Sequence, residues 1–314
     1  MADYLRISIT DRCNLNCVYC KPMENRTIVG HNDILRFEEI AKIVSVFTKF
    51  GIKKIRITGG EPLIKRGVDR LVNMIRNIDN SLEISITTNG VNLSEYASLL
   101  KDAGLDRINI SLDSLKGERF KEITGFDKLD EVKRGIDSTL EAGFKNTKLN
   151  VVLLKNINDD EILDFVNFAL MKNLNLRFIE LFETNRNVYN FNKKTVPTNY
   201  VKSVIVKEFG LLLPDENAIS NGPSENFSLS NGLKVGFISN NSSDFCGECT
   251  RLRMNSAGKV SPCLFSGFRY DMKQAIRNSS FEEIENYARE IMESKKDFTK
   301  KNRICSIEMS GLGG

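Results

Sequence analysis

The sequence lacks a strong excess of charge, a long apolar run and a low-complexity tract. Its 314 residues include 45 basic and 41 acidic side chains, which give a formal net charge of +4. That balance argues against a general binder of nucleic acid or of membrane surfaces. No apolar run approaches the length that spans a bilayer, and the first residues lack the pattern of a secretory leader. We therefore expect a cytoplasmic protein with no nucleic-acid partner and no membrane partner.

The seven cysteines are an odd number, so they cannot all pair within one chain. In a reducing compartment such residues are more often metal ligands or catalytic thiols than disulfides. Six of them form two sets of three, Cys13, Cys17 and Cys20 in one and Cys246, Cys249 and Cys263 in the other. The seventh, Cys305, is expected to be an inert buried thiol, and the only histidine, His31, a surface residue.

Short β-rich runs alternate with helical patterns over the first 181 residues. The runs cover residues 5–10, 53–58, 83–88, 107–112, 147–154 and 174–181. Alternation of strand and helix predicts right-handed crossovers and a parallel sheet. Six units are too few for a complete eight-stranded barrel. The fold class is therefore predicted to be α/β, with an incomplete (β/α)6 barrel of the TIM type.

After residue 181 this rhythm stops. Residues 183–199 are polar and include Pro197, so we place a domain boundary there, with a barrel over 1–190 and a C-terminal region over 191–314. In the C-terminal region we expect a helix near 200–209, strands near 233–238 and 252–255, and two further helices. Residues 216–232 are rich in Asn, Ser and Gly and are expected to form a loop. The region is predicted to be an α+β segment that covers the barrel mouth.

The stretch "DRCNLNCVYC" carries the first cysteine set in a C-x3-C-x2-C arrangement directly after the first predicted strand. Active sites of such barrels lie at this C-terminal end of the strands. Three thiolates at this spacing suit a 4Fe-4S cluster that keeps one iron without a protein ligand. A zinc site completed by a distant cysteine, or unrelated buried thiols, are the alternatives.

Basic residues lie on the predicted barrel strands, where apolar core residues are usual. They are Arg6, Lys54, Arg56, Lys148 and Arg177. Burial of so many cations without an anionic partner would be very costly, so they predict a polyanion inside the barrel. Arg251 and Arg253 lie two apart in a predicted extended segment, so both face one side and suit phosphate or purine acceptors. The adjacent second cysteine set suits either another three-thiolate cluster or a zinc site completed by Cys305.

Several motifs follow one another in a fixed order: "LRISITDRCNLNCVYC", "KKIRITGGEP", "TTNG", "ISLDSL", "KLNVVL", "LRFIE", "TRLR" and the final "GLGG". In these motifs the chain resembles, nearly end to end, the GTP 3',8-cyclase family of radical S-adenosylmethionine (SAM) enzymes. The resemblance implies two 4Fe-4S clusters, one held by Cys13, Cys17 and Cys20 and one by Cys246, Cys249 and Cys263. SAM would bind the open iron of the first cluster and the guanine of GTP that of the second.

The same resemblance assigns roles to further residues. SAM would be contacted by Tyr19, Gly60, Ser111, Asn150 and Phe182, of which Phe182 replaces a methionine common in relatives. The glycines of "GGEP" suit close approach of a ligand. GTP would be held by Arg6, Lys54, Arg56, Thr87, Lys148, Arg177, Arg251, Leu252 and Arg253. Gly313 and Gly314 would form a side-chain-free tail that reaches the active site and supports catalysis.

The implied reaction is the radical cyclisation of GTP to (8S)-3',8-cyclo-7,8-dihydroguanosine 5'-triphosphate, the first step of molybdenum cofactor biosynthesis. The implied partners are a reducing electron donor, cyclic pyranopterin monophosphate synthase as the next enzyme, and a second copy of the chain in a homodimer. Two alternatives stay open. One is a radical SAM enzyme with an auxiliary cluster that modifies a peptide or RNA, and the other is a zinc-binding protein that interacts with RNA.

Overall fold

The structure, a computed structural model, describes most of the chain. The described residues are 2–20, 29–182, 194–215, 224–239, 249–264 and 266–295. Cys246, Cys305, Gly313 and Gly314 lie outside these ranges, as does the predicted boundary between residues 190 and 191.

The first part of the chain has the predicted alternation of strands and helices. The strands are β1 (Tyr4–Ser8), β2 (Lys54–Thr58), β3 (Glu83–Thr88), β4 (Arg107–Ser111), β5 (Lys148–Leu153) and β6 (Asn175–Glu180). The helices are α1 (Phe37–Lys49), α2 (Val68–Arg76), α3 (Leu93–Asp102), α4 (Gly117–Thr124), α5 (Leu129–Glu141) and α6 (Ile162–Met171). The six predicted strands are confirmed to within two residues at each end.

Helix α1 illustrates why these helices form where they do. Ile40, Ile43, Val44 and Phe47 recur at helical spacing and are buried on one face. The helix ends just before Gly51, whose φ of +98° suits glycine far better than any other residue. Helix α4 was not predicted, because only a short apolar pattern around Phe120 marks its buried face.

The twelve strands of the described chain belong to one sheet, in which β1 to β6 pair in parallel and in chain order. The C-terminal strands are β7 (Leu213–Pro214), β8 (Glu225–Ser228), β9 (Lys234–Ile238), β10 (Arg251–Met254), β11 (Lys259–Ser261) and β12 (Tyr270–Asp271). Strand β9 pairs in parallel with β6, and β10 pairs in parallel with β1. The C-terminal region therefore adds side walls at both edges of the six-stranded barrel.

The C-terminal helices are α7 (Thr198–Phe209), α8 (Met272–Asn278) and α9 (Phe281–Ser294). The predictions of one helix, two strands and two final helices in this region are confirmed. The prediction of a loop over 216–232 is wrong at β8, which pairs antiparallel with β9. Within the described ranges, none of the helices combines the length and the apolar character needed to cross a membrane.

Side chains alternate in direction along each barrel strand, so that one set packs in the apolar core under the helices and the other lines the polar inside of the barrel. In β5, Leu149, Val151 and Leu153 are buried in the core, whereas Lys148 and Asn150 line the inside of the barrel. Because successive side chains of a strand point to opposite faces, one strand serves both the helix layer and the interior. This arrangement directs the charged strand residues toward one enclosed space.

Candidate active site

A cavity of about 710 Å³ occupies the inside of the barrel. Its walls bring together nearly all of the predicted site residues that the structure describes. They are Cys13, Cys17, Cys20, Tyr19, Gly60, Ser111, Asn150, Phe182, Arg6, Lys54, Arg56, Thr87, Lys148, Arg177, Arg251 and Arg253. Residues from distant parts of the sequence thus meet at one site, as parallel strands require.

Leu252 is the exception among the predicted GTP residues. Its side chain is fully buried in the hydrophobic core and does not line the cavity. Arg251 and Arg253 flank it on β10 and do line the cavity. The physical reason is the two-residue period of a strand, which turns Leu252 to the opposite face.

Residues 11–20, here called the cysteine loop, follow β1 and are held by backbone hydrogen bonds. The Gly60 amide donates to the Thr10 carbonyl at 2.6 Å, and the Glu61 amide donates to the Arg12 carbonyl at 2.8 Å. On the other side, the amides of residues 16 and 18 donate to carbonyls of residues 124 and 123, at 2.8 and 2.9 Å. The unpredicted helix α4 therefore supports the loop that carries the cysteines.

Gly60 leaves room for this loop. A Cβ atom at residue 60 would lie 2.2 Å from the Arg12 carbonyl oxygen. A backbone atom cannot move aside as the end of a side chain can, so only glycine fits. The prediction that Gly60 permits close approach of a ligand stays a prediction, and the structure adds that Gly60 permits close approach of the cysteine loop.

Glu61 joins the loops that follow β2 and β3. Its buried carboxylate accepts hydrogen bonds from the Thr88 hydroxyl at 2.6 Å, the Asn89 amide at 2.6 Å and the Leu63 amide at 3.0 Å. Burial raises the pKa of Glu61 to about 7, although these three bonds oppose the shift. Glu61 is not among the predicted site residues, although it lies in the motif "GGEP". The feature of the sequence that could have indicated it is an acidic residue directly after two glycines at the end of a predicted strand.

Asp113 fixes the aromatic residue of the cysteine loop. The Tyr19 hydroxyl donates to one carboxylate oxygen of Asp113 at 2.5 Å, and the Val152 amide donates to the other at 2.8 Å. Burial raises the pKa of Asp113 to about 6, and the pKa of Tyr19 rises well above its usual value by burial and by the Asp113 charge. Asp113 is not among the predicted site residues either, because its partner Tyr19 lies 94 residues away in the chain and no local pattern joins the two.

Three arginines lie side by side across neighbouring strands. In the pairing register, Arg6 of β1 is opposite Arg253 of β10 on one side and Arg56 of β2 on the other. We call Arg253, Arg6 and Arg56 the arginine row. Adjacent strands lie about 4.8 Å apart, so these guanidinium groups form a compact band of positive charge on the cavity wall.

Burial lowers the pKa of four basic side chains that line the cavity. Burial, followed by repulsion from neighbouring arginines, lowers the pKa of Arg253 to about 10 and that of Lys148 to about 7. Burial likewise lowers the pKa of Arg6 to about 9 and that of Arg177 to about 10. Within the described residues, Arg177 Nε and Arg253 Nη1 are buried without a hydrogen-bond partner. Such groups are rare in folded proteins unless a ligand completes them.

Two members of the second cysteine set lie beside this wall. Cys249 and Cys263 do not line the cavity. Their thiols nevertheless lie close enough to Arg253 to raise its pKa and so to oppose part of the effect of burial. Burial opposes the charged form of Cys249, but the charges of Arg251 and Lys295 outweigh it and lower the pKa of this thiol to about 6. The Lys295 ammonium also donates to the Cys249 sulfur at 3.5 Å. This environment favours a thiolate, which is the metal-binding form.

The thiols of the cysteine loop fit an iron-sulfur cluster by their chemistry. All three line the cavity, and soft thiolates are the usual ligands of such clusters. In the described part of the chain, no three His, Cys, Asp or Glu side chains converge closely enough for a single metal ion. If a 4Fe-4S cluster binds here, these three thiols would be its protein ligands, and the cluster would supply one-electron chemistry.

Comparisons with known proteins agree with this geometry. A family model described as the Radical SAM superfamily matches residues 7–169, and one described as Molybdenum Cofactor Synthesis C matches residues 174–301. A GTP 3',8-cyclase of Petrotoga mobilis is 41% identical over 99% of this chain and 97% of its own length. A GTP 3',8-cyclase of Moorella thermoacetica is 45% identical over 88% of this chain and 85% of its own.

The chain belongs to the GTP 3',8-cyclase family of radical SAM enzymes. This confirms the resemblance that the motifs indicated and the class of enzyme that it implied. The two matched segments meet at the last barrel strand, because the second begins at residue 174 and β6 begins at Asn175.

Solved structures share the fold of this GTP 3',8-cyclase family member at low sequence identity. Streptococcus suis SuiB bound to S-adenosylmethionine is 16% identical, with a TM-score of 0.64 over 96% of this chain and 69% of its own. The protein anSMEcpe with bound AdoMet is 18% identical, with a TM-score of 0.61 over 98% of this chain and 92% of its own. These similarities confirm the α/β fold class of the radical SAM type.

Proposed function

We propose that this protein converts GTP to 3',8-cyclo-7,8-dihydro-GTP, the first step of molybdenum cofactor biosynthesis. In the overall reaction, the hydrogen at C3' of the ribose leaves with the 5'-deoxyadenosyl group of SAM, and a bond forms between C3' and C8 of guanine. A reducing donor supplies two electrons and solvent supplies one proton, while SAM becomes methionine and 5'-deoxyadenosine. The family of relatives named GTP 3',8-cyclase supports this proposal.

One structural observation carries the proposal: a single cavity combines three thiols at one end with the arginine row on its wall. Among the residues that the structure describes, nine Lys and Arg side chains line this cavity against five Asp and Glu side chains. A triphosphate would neutralise the excess and supply the partners that Arg177 and Arg253 need. An uncharged peptide segment would leave these cations without compensation.

For the cofactors, we propose that Cys13, Cys17 and Cys20 hold a 4Fe-4S cluster. When bound, the cluster and SAM supply one-electron chemistry that removes a hydrogen atom from an unactivated carbon. The residues of this chain position the reactants: Tyr19 is held by Asp113, and the buried oxygens of Thr87 and Asn150 have no hydrogen-bond partner among the described residues. These two oxygens are suited to orient bound ligands within the cavity.

For the second cluster, we propose Cys246, Cys249 and Cys263 as ligands. The thiolate-favouring surroundings of Cys249 and the proximity of Cys263 to Arg253 support two of these three ligands. Guanine would dock on this side, next to Arg251 and Arg253. The tail residues Gly313 and Gly314, a homodimer, an electron donor and cyclic pyranopterin monophosphate synthase as the next enzyme remain proposals from the family resemblance.

The decisive experiment uses GTP deuterated at C3'. We expect anaerobic incubation of the full chain with reductant, SAM and this substrate to transfer deuterium into 5'-deoxyadenosine, measured by mass spectrometry. The Cys17→Ala variant should form no 5'-deoxyadenosine, whereas Arg251→Ala should keep the first cluster but require more GTP. Uncoupled SAM cleavage with no deuterium transfer in the wild-type protein would refute GTP as the substrate.

Metal analysis separates the proposal from the zinc alternative. We expect about eight irons and matching sulfide per chain after anaerobic reconstitution, as two 4Fe-4S clusters require. The second cluster would be refuted if the wild-type protein held about four irons, Cys17→Ala held none and Cys263→Ala held the same four. The first cluster would then stand alone. Zinc alone in both variants and in the wild type would refute both clusters.

A further inference from the structure

A chain of asparagine amides leads to the sulfur of Cys13. The Asn89 amide nitrogen donates to Cys13 Sγ at 3.7 Å and to Asn14 Oδ1 at 2.8 Å. The Asn14 amide nitrogen donates in turn to Asn92 Oδ1 at 3.5 Å, and the Asn92 amide nitrogen donates to the Leu63 carbonyl at 3.2 Å. Three side chains from two separate loops are thus linked to one cysteine.

The direction of this chain is fixed by backbone groups at both ends. The Val91 amide donates to Asn89 Oδ1 at 3.1 Å, so the oxygen of the Asn89 side chain cannot face Cys13 without losing that bond. At the far end the Leu63 carbonyl can only accept, so Asn92 must present its nitrogen there. Because an amide has two donor hydrogens and one acceptor oxygen, both constraints point an N–H group at the sulfur.

Asn89 itself is held rigidly. Its backbone amide donates to the buried Glu61 carboxylate at 2.6 Å, and it follows strand β3 directly. The Leu15 amide donates to the same Cys13 sulfur at 3.4 Å. The sulfur therefore receives one N–H from the backbone of the cysteine loop and a second from a side chain 76 residues away.

We propose that Asn89 is a positioning residue that raises the reduction potential of the first cluster by donating a hydrogen bond to Cys13. The inference rests on the iron-sulfur site proposed above. Hydrogen bonds to ligand sulfurs are among the factors that set cluster potentials. An N–H donor stabilises the reduced form more than the oxidised form, because reduction adds negative charge to the cluster and its sulfurs.

Two substitutions at residue 89 test the proposal. Asn89→Leu removes the donor and adds no charge, whereas Asn89→Asp keeps an acceptor for the Val91 amide and turns a carboxylate oxygen toward the sulfur. We expect Asn89→Leu to make one-electron reduction about tenfold less favourable, which is a shift of about −59 mV for one electron. Asn89→Asp should shift further in the same direction.

The measurement is a redox titration followed by electron paramagnetic resonance on the reconstituted full chain. The first cluster is identified by the change of its signal when SAM is added. Asn77→Asp provides a matched control, because Asn77 follows the last residue of α2 and donates to Asn73 in a similar but exposed amide pair. We expect this control to titrate at the wild-type potential with a full iron content.

Asn92→Leu keeps the proposal testable if the variants at residue 89 assemble no cluster. It removes the last member of the chain, so Asn14 loses its restraint and the potential should fall by less than in Asn89→Leu. Wild-type potentials in all variants that hold the cluster would overturn the inference. So would a shift in Asn89→Asp alone, since that would reflect charge and not the hydrogen bond. A wild-type protein without any cluster would overturn the proposed function as well.

Discussion

The cysteine loop and the arginine row line the same cavity but are stabilised in opposite ways. The loop is held by groups of the protein itself, through backbone bonds from Gly60 and Glu61 and the Tyr19 hydroxyl on Asp113. The arginine row places like charges next to one another, and within the described residues Arg253 Nη1 has no hydrogen-bond partner.

The cysteine loop has its hydrogen-bond partners as soon as the chain folds, whereas the arginine row needs a bound anion to pair its charges. A hydrogen-bonded loop gains stability when the chain folds, since its donors and acceptors are already paired. A buried band of arginines costs stability until an anion arrives. Changes in the loop should therefore damage the protein without any ligand, and changes in the row should damage only the response to the nucleotide.

The largest effect is expected from Gly60→Ala. The new methyl group would lie 2.2 Å from the Arg12 carbonyl oxygen, so the cysteine loop must move. We expect a loss of about 3 kcal/mol in the free energy of unfolding, together with loss of iron from the first cluster. Denaturant unfolding and iron analysis measure the two effects. Gly117→Ala is the control, because in the described part of the chain no atom beyond its chain neighbours and its own helix backbone lies within 4 Å of the new methyl group. Equal behaviour of both variants would contradict the steric role of Gly60.

Arg253→Met should have the opposite signature. It replaces a buried cation of the arginine row with an apolar side chain, so the ligand-free protein should keep or gain melting temperature. GTP affinity should fall by about thirtyfold, which corresponds to about 2 kcal/mol. Calorimetric titration and thermal unfolding with and without GTP test this. Exposed Arg70 on α2 offers the control Arg70→Met. If Arg253→Met destabilised the ligand-free protein as much as Gly60→Ala, the arginine row would not depend on a ligand for its stability.

Lys148 lines the same cavity as the arginine row and should make GTP binding depend on pH. Its pKa of about 7 in the folded protein lies below the value of 10.5 for an ordinary lysine. Between these values the unfolded chain binds the extra proton, so this group makes the ligand-free protein more stable as pH rises from 7. Phosphate oxygens should restore the charge, so GTP binding takes up a proton and its affinity falls by up to about tenfold per pH unit above 7.

Calorimetry in two buffers of different ionisation enthalpy measures this proton uptake directly. The titration should be carried out above pH 7.5, where the terminal phosphate of GTP itself takes up almost no protons. Lys148→Met should show almost no uptake there and a flatter dependence of affinity on pH. Equal uptake by the variant and the wild-type protein would show that another group binds the proton.

The sequence predicts one side of this comparison better than the other. Arginines at residues 6 and 56 contradict the apolar pattern of buried strands, and a two-residue period is enough to place them inside the barrel. The supports of the cysteine loop are different, because Glu61 and Asp113 look like ordinary polar residues until the fold brings their partners close. Asp113 meets Tyr19 across 94 residues of chain, and no local pattern reports such a contact.

The smallest effect is expected from Tyr19→Phe, which removes one bond and leaves the ring. The buried Asp113 carboxylate would keep the bond from the Val152 amide and lose the one from the tyrosine hydroxyl. We expect a loss of about 1 kcal/mol in the free energy of unfolding with the iron content unchanged. Asp113→Asn is the matched variant, since its amide can donate to the hydroxyl oxygen and should cost less. If Tyr19→Phe instead left unfolding unchanged and altered only GTP affinity, the loop would depend on ligands as the arginine row does, and the contrast between the two would fail.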